Sequence, residues 1–154
     1  MSSRTAFTSA GHKRMGRGLQ IAIDCDDPER LASFWAEVLA YRRAEPPWGY
    51  PSWTAFSEAV AVEPGERWSR LVDPEGVGPA VLFHRVPERK LVKNRVHVDI
   101  RIAPEAAVHE RRRLVDQEVV RLTRLGGTHV RTDEDETDYY AVMQDPEGNE
   151  FCIG

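Results

Sequence analysis

The tetrapeptide Asp-Pro-Glu-Gly occurs twice, at residues 73–76 and 145–148, each time between two apolar runs. Asp first, Pro second and Gly fourth is type I turn chemistry, because Pro presets φ and the Asp side chain holds the turn's own backbone. Each copy therefore predicts a hairpin. The turn alone is common, so what surrounds it decides whether the recurrence means anything.

Upstream of the first copy, "LQIAIDC" (19–25) alternates Leu19, Ile21 and Ile23 with Gln20, Ala22 and Asp24, the period of a strand with two unlike faces. Asp27 then stands as an N-cap before Pro28, and Leu31, Phe34, Trp35, Val38 and Leu39 follow at helical spacing. "YRRAEPPWGYPSWTAF", "AVAVEPGERWSRLV" and "PAVLFHRV" come next, β-prone pieces cut by Pro and Gly, and they predict three more strands. The same order begins again at residue 94. "NRVHVDIRI" alternates Val96, Val98, Ile100 and Ile102 against His97, Asp99 and Arg101. Pro104 opens a helix through about Leu125 with Val108, Val115, Val119 and Leu122 as its stripe, and Gly126-Gly127 close it. "THVRT", "YYAVMQ" and "NEFCI" are three strands, the last two joined by the second turn. The turn recurs because a whole βαβββ unit recurs.

Composition bounds the rest. A chain of 154 residues, 41% hydrophobic and 30% charged, suits one globular domain, with no apolar run near the roughly 18 residues that span a bilayer. No secretory signal pattern is present, so a cytoplasmic location is expected. Cys25 and Cys152 lie in apolar surroundings without CxxC spacing and predict reduced thiols. Residues 1–17 carry Arg4, Lys13, Arg14 and Arg17 and no acid, leaving 17 basic against 25 acidic side chains elsewhere. That is a weak nucleic-acid footprint, and a disordered leader outside the folded unit is expected, with no nucleic-acid and no membrane partner. The acidic run 133–138 lacks the Gly and spacing of a calcium loop and reads as a solvated hairpin loop.

The ordered set "LQIAIDCDDPERLASFWAEVLAY", "FHRVPERKLVKNRVHVDI" and "DPEGNEFCI" resembles the vicinal oxygen chelate superfamily, and within it the small bacterial glyoxalase-like domains, over residues 18–154. The resemblance implies an α+β fold of two βαβββ modules, about 18–85 and 95–154 with a linker at 86–94, forming a half-open eight-stranded barrel with helices on the convex side. It also implies a small-molecule site in the concave cleft, often with a divalent metal such as zinc, iron, manganese or nickel, and a homodimer that covers free sheet edges.

Carried onto this chain, the family's ligand positions fall on Gln20, His97 and Cys152, with His84 the candidate in the last strand of module one. Alternation turns Leu19, Ile21, Ile23, Val96, Val98 and Ile100 toward the helices, so Gln20 and His97 are expected to face the cleft. Asp24, Asp99 and Glu150 share that face. The candidate cleft is thus Gln20, Asp24, His84, His97, Asp99, Glu150 and Cys152, with Gln20, His84 and His97 the candidate metal ligands. Relatives that use a metal have Glu where this chain has His84 and Cys152, so either a metal site or an uncharged metal-free pocket is compatible with the set. Trp48, Trp53 and Trp68 could wall a planar ligand or serve packing. Two functions follow from the resemblance, beside a structural or regulatory module as a third class. One is an enzyme on a small carbonyl or phenolic metabolite, a lyase, isomerase or dioxygenase other than glyoxalase I; the other is a non-catalytic protein that binds or sequesters a small molecule.

Overall fold

The computed structural model describes residues 18–134 and 138–154. The expected leader, with His12 and Met15, and residues 135–137 of the acidic loop lie outside the described residues. Module one runs β1 (Gln20–Cys25), α1 (Pro28–Leu39), β2 (Arg42–Arg43), α2 (Trp53–Val60), β3 (Trp68–Val72) and β4 (Ala80–Arg85). Module two runs β5 (Asp99–Ile100), α3 (Val108–Arg124), β6 (Thr128–Glu134), β7 (Tyr139–Gln144) and β8 (Glu150–Ile153). The sheets have orders β1-β4-β3-β2 and β5-β8-β7-β6, the first strand of each module lying parallel to its last. This is one topology written twice, an α+β fold whose described strands do not close into a barrel.

Local sequence explains most boundaries. The Asp27 carboxylate accepts the Arg30 N–H at 3.1 Å with Pro28 in the first turn, and α1 ends at Ala40 in the left-handed region. Both Asp-Pro-Glu-Gly turns form as expected and join the last two strands of their modules. Gly76 N–H donates to the Asp73 carbonyl at 3.0 Å, Gly148 N–H to that of Asp145 at 2.9 Å, and each Asp side chain accepts further backbone N–H groups. One buried cluster serves both modules. Leu31, Phe34, Trp35 and Val38 of α1 meet Leu71, Val81 and Phe83 on one side and Val115, Leu122, Met143, Phe151 and Ile153 on the other. The Phe151 ring lies 6.0 Å from Phe34 and 5.0 Å from Trp35. Gly127 fits closely here, since a β-carbon there would stand 3.1 Å from both the Phe34 ring and the Leu122 carbonyl and would press on them.

Four expectations need correction. Residues 53–60 are helical, not β, because Ser52 caps them through Ala55 N–H at 3.0 Å, an N-cap signal the Pro-rich surroundings masked. The helix of module two begins at Val108, with Pro104 in a preceding turn closed by Ala106 N–H on the Ala103 carbonyl, which leaves Val108 exposed. The strand expected from residue 94 is confined to Asp99–Ile100. Asn94 explains this: its Nδ2 takes the Glu150 carbonyl at 3.2 Å and its N–H takes the Glu150 carboxylate at 3.1 Å, so the linker occupies the start of β8 and residues 95–97 have nothing to pair with. Leu19 and Val96 accordingly lie outside their strands, 70% and 74% exposed rather than turned to the helices.

Candidate functional site

Alternation sets the chemistry of each sheet's outer face. In β4, Val81 and Phe83 are buried against the helices, so Leu82 and His84 face out. Register then builds two rows across module one. Asp24, His84 and Trp68 lie side by side on β1, β4 and β3, and Ala22, Leu82 and Arg70 form the next row two residues along. Gln20 starts a third row opposite Ala80.

His84 is held on three sides. Its ring is stacked on Trp68 with centroids 5.4 Å apart and planes 5° from parallel. Nδ1 is 4.0 Å from Asp24 Oδ1, and Nε2, shut off from solvent, is 3.5 Å from Glu66 Oε1 without an aligned hydrogen bond. The other Glu66 oxygen accepts Val62 N–H at 2.9 Å and Glu63 N–H at 3.1 Å, so the backbone fixes this carboxylate beside the imidazole. Those two N–H groups, foremost that of Glu63, hold the Glu66 pKa below the ordinary carboxylate value, and His84 adds to the effect. Glu66 was invisible to sequence reasoning because it sits in the loop before β3, with only "PGER" to mark it. Beyond the row, Phe56 of α2 contacts Trp68, Trp53, Tyr50 and Trp48 through ring centroids 5.5–6.1 Å apart. The helix missed in the sequence thus carries an aromatic flank to His84. Of the three Trp residues singled out, Trp53 is core, its Nε1 donating to the Ala44 carbonyl at 2.7 Å, whereas Trp48 is 81% exposed.

The remaining candidates are distributed. Asp99 and Cys152 are register partners on the outer face of module two. Burial, with Asp99 next in importance, pushes the Cys152 thiol up, away from the thiolate that metal binding or nucleophilic attack requires. His97 lies outside β5, exposed, with its Nε2 3.4 Å from the Lys93 ammonium. Glu150 pairs with Lys90 at 3.0 Å and belongs, with Asp24, to a cavity of about 1240 Å³ between the modules. That cavity has Ile21, Ile23, Trp35 and Val98 in its wall and linker residues at its rim, and contains none of the other five candidates.

These donors do not fit a divalent metal. Gln20 and His84 are four register steps apart, about 13 Å along the sheet. The Gln20 Oε1 already accepts the Arg70 Nε–H at 3.0 Å, which sets a cation where the metal would be. His97 has an ammonium for a neighbour, and no three His, Cys, Asp or Glu side chains converge among the described residues.

Comparison with known proteins agrees with the duplicated fold. The glyoxalase-like domain model matches residues 20–154, and the chain belongs to that family, within the vicinal oxygen chelate superfamily. Among solved structures it is similar to the fosfomycin resistance protein FosX of Mesorhizobium loti, at 14% identity and TM-score 0.60 over 90% of this chain and 91% of that one. It is also similar to a glyoxalase/bleomycin resistance protein/dioxygenase family enzyme of Burkholderia phytofirmans PsJN, at 16% identity and TM-score 0.58 over 87% and 94%. FosX of Listeria monocytogenes gives 13% identity and TM-score 0.61 over 90% and 91%. At such identities the likeness speaks for the fold alone. No curated protein matches the sequence.

Proposed function

We propose that this chain binds a small carbonyl or phenolic molecule on the outer face of module one and uses His84 to accept a proton from it. The single observation behind this reading is the setting of His84. Nε2 is shut off from solvent beside Glu66, so the nitrogen left to meet a ligand is Nδ1, 4.0 Å from Asp24 Oδ1. A weakly acidic O–H, or a C–H beside a carbonyl, is the chemistry such a group serves. Glyoxalase I activity is not expected, since that reaction uses a metal with a carboxylate at hand, and the last strands present His84 and Cys152 instead. The test is exchange of α-protons in D2O for a panel of small ketones and oxo acids, followed by NMR. Wild type should accelerate exchange of at least one compound and His84→Asn should not; equal rates in both would overturn the reading.

A second reading, sequestering without turnover, is favoured by the aromatic flank of Trp48, Tyr50 and Phe56, which suits a planar guest. Stoichiometric quenching of tryptophan fluorescence by a compound that shows no exchange would select it. The homodimer belongs to the same proposal. β1 and β5 are free edges of their sheets, and exposed Leu19, Leu91, Val92 and Val96 lie at or between them. A monomeric mass by light scattering at micromolar concentration would rule it out.

A further inference from the structure

Arginines in this chain are mostly neutralised where they are partly buried. Arg43 meets Glu29, Arg85 meets Asp26, Arg112 meets Glu134, and Arg121 meets Glu37 and Glu118. Among the described residues two half-buried arginines have no carboxylate partner, Arg70 and Arg111, and Arg111 gives its Nη2 to the Ala106 carbonyl. Arg70 is different. It stands on the outer face of β3 in the row of Ala22 and Leu82, one row from His84. Its Nε donates to Gln20 Oε1, a neutral acceptor that fixes the plane of the guanidinium without cancelling its charge, and leaves both terminal nitrogens unengaged. Arg42 lies diagonally across the β2–β3 pair on the same face, opposite Val72, and among the described residues its hydrogen bond is to the Arg43 carbonyl at 3.4 Å. Arg70 therefore borders the small apolar patch of Ala22 and Leu82, and Arg42 stands one row further from His84, in the row of Val72, Ala80 and Gln20.

From this we infer that Arg70, oriented by Gln20 and supported by Arg42, receives the anionic group of a small organic anion whose other end lies over Leu82 toward His84. Gln20 is thus a positioning residue in an anion site and not a metal ligand. The Arg70 and His84 rows are two residues apart, about 7 Å between their backbones, and the guanidinium itself reaches on toward Gln20 in the row beyond. The ligand class is accordingly a small acid whose far end carries the O–H that meets the imidazole at least that distance from its carboxylate or phosphate, as in a ring-hydroxylated arylacetic acid, of which the arylacetic acid itself is the binding frame. A forked guanidinium accepts such a group through two parallel hydrogen bonds, which an uncharged amide cannot match. The assignment names the substrate class for the site proposed above and rests on that reading only for the end of the ligand that meets His84.

The test is titration of the full chain with phenylacetate, phenyl phosphate and the neutral isostere phenylacetamide, following the Arg70 Nε–H and His84 ring resonances by NMR. At least one acid should bind about tenfold or more tightly than the amide and shift both residues. Arg70→Gln should abolish that preference. Gln20→Glu keeps the fold and the hydrogen bond but supplies an internal carboxylate to Arg70, so it should also suppress acid binding, whereas Gln20→Ala should weaken it less. Acid and amide binding equally, with His84 shifted by both, would overturn the anion assignment and leave the His84 reading standing. Acid binding that needs Arg70 but leaves His84 unmoved would uphold the anion site and remove the proton-transfer reading. Acid binding indifferent to Arg70→Gln, or no binding by any of the three, would overturn the assignment.

Discussion

Module one and module two share a strand order, a parallel first-to-last pair and an Asp-Pro-Glu-Gly turn, yet they differ wherever the fold leaves a choice. The outer face of module one sets an imidazole between two carboxylates and two guanidinium groups with no acid to meet them. The same face of module two has Cys152 beside Asp99, the buried Val142, and Arg131 closed on its neighbour Asp133 at 2.7 Å. Among the described residues, the arginines on the first face lack an acid and the arginine on the second has one. The turns differ in the opposite sense. Among the described residues Asp73 accepts hydrogen bonds from its own loop, while Asp145, 2% exposed, also accepts the indole N–H of Trp35 from the other module at 3.0 Å. The same backbone frame thus occurs twice with different side-chain commitments: the turn of module two ties the modules together, and the outer face of module one carries the candidate site.

That division can be broken experimentally. The largest effect should come from Phe151→Ala, which empties the contact among Phe34, Trp35 and β8 and should cost about 3–5 kcal/mol in urea unfolding. A loss under about 1 kcal/mol would show that the modules do not depend on a shared core. Next, Asp145→Ala strands the N–H groups of Glu147, Asn149 and Trp35 and should cost about 3 kcal/mol, distinctly more than Asp73→Ala in the equivalent turn. Equal losses would erase the difference between the turns.

Acid should come third. Backbone N–H groups hold Asp73 and Glu66 below their ordinary values, Gly78 and Glu63 being the largest contributors, and Glu150 is also lowered, by Lys90 and Asn94 against its own burial. A folded pKa below the unfolded one means stability that is present above the unfolded value and lost as pH falls through the folded one. The melting temperature should therefore be flat near neutrality and drop below about pH 4.5, and Glu66→Gln should make the drop shallower. A melting temperature unchanged between pH 6 and pH 3 would contradict this. The smallest effect concerns the thiols. Burial pushes Cys25 up to about 12, and Cys152 is raised by burial and then by Asp99, so both should react slowly with a disulfide reagent at neutral pH. Asp99→Asn should speed Cys152 a few-fold and leave Cys25 unchanged; a Cys152 already as fast as a free thiol would mean its environment has been misjudged.

Sequence by itself determined the repeat, the two turns, the capped helix α1 and the inward or outward sense of the residues within β1, β4 and β8. These are local properties: turn chemistry acts within four residues, a cap within three, and alternation is a consequence of the pleat wherever a strand is continuous. Where continuity failed, so did the reading, as at Val96 and His97, because Asn94 and Glu150 come together only in the folded chain. The candidate cleft was legible as a set of outward positions but not as a site. Tertiary structure decided which of them are neighbours, because strand register is a relation between distant segments. It put His84 beside Asp24 and Trp68, separated it from Gln20 by four steps, and gave Gln20 to Arg70. Glu66 and α2 entered in the same way, from a loop and a masked helix whose value lies in what they pack against.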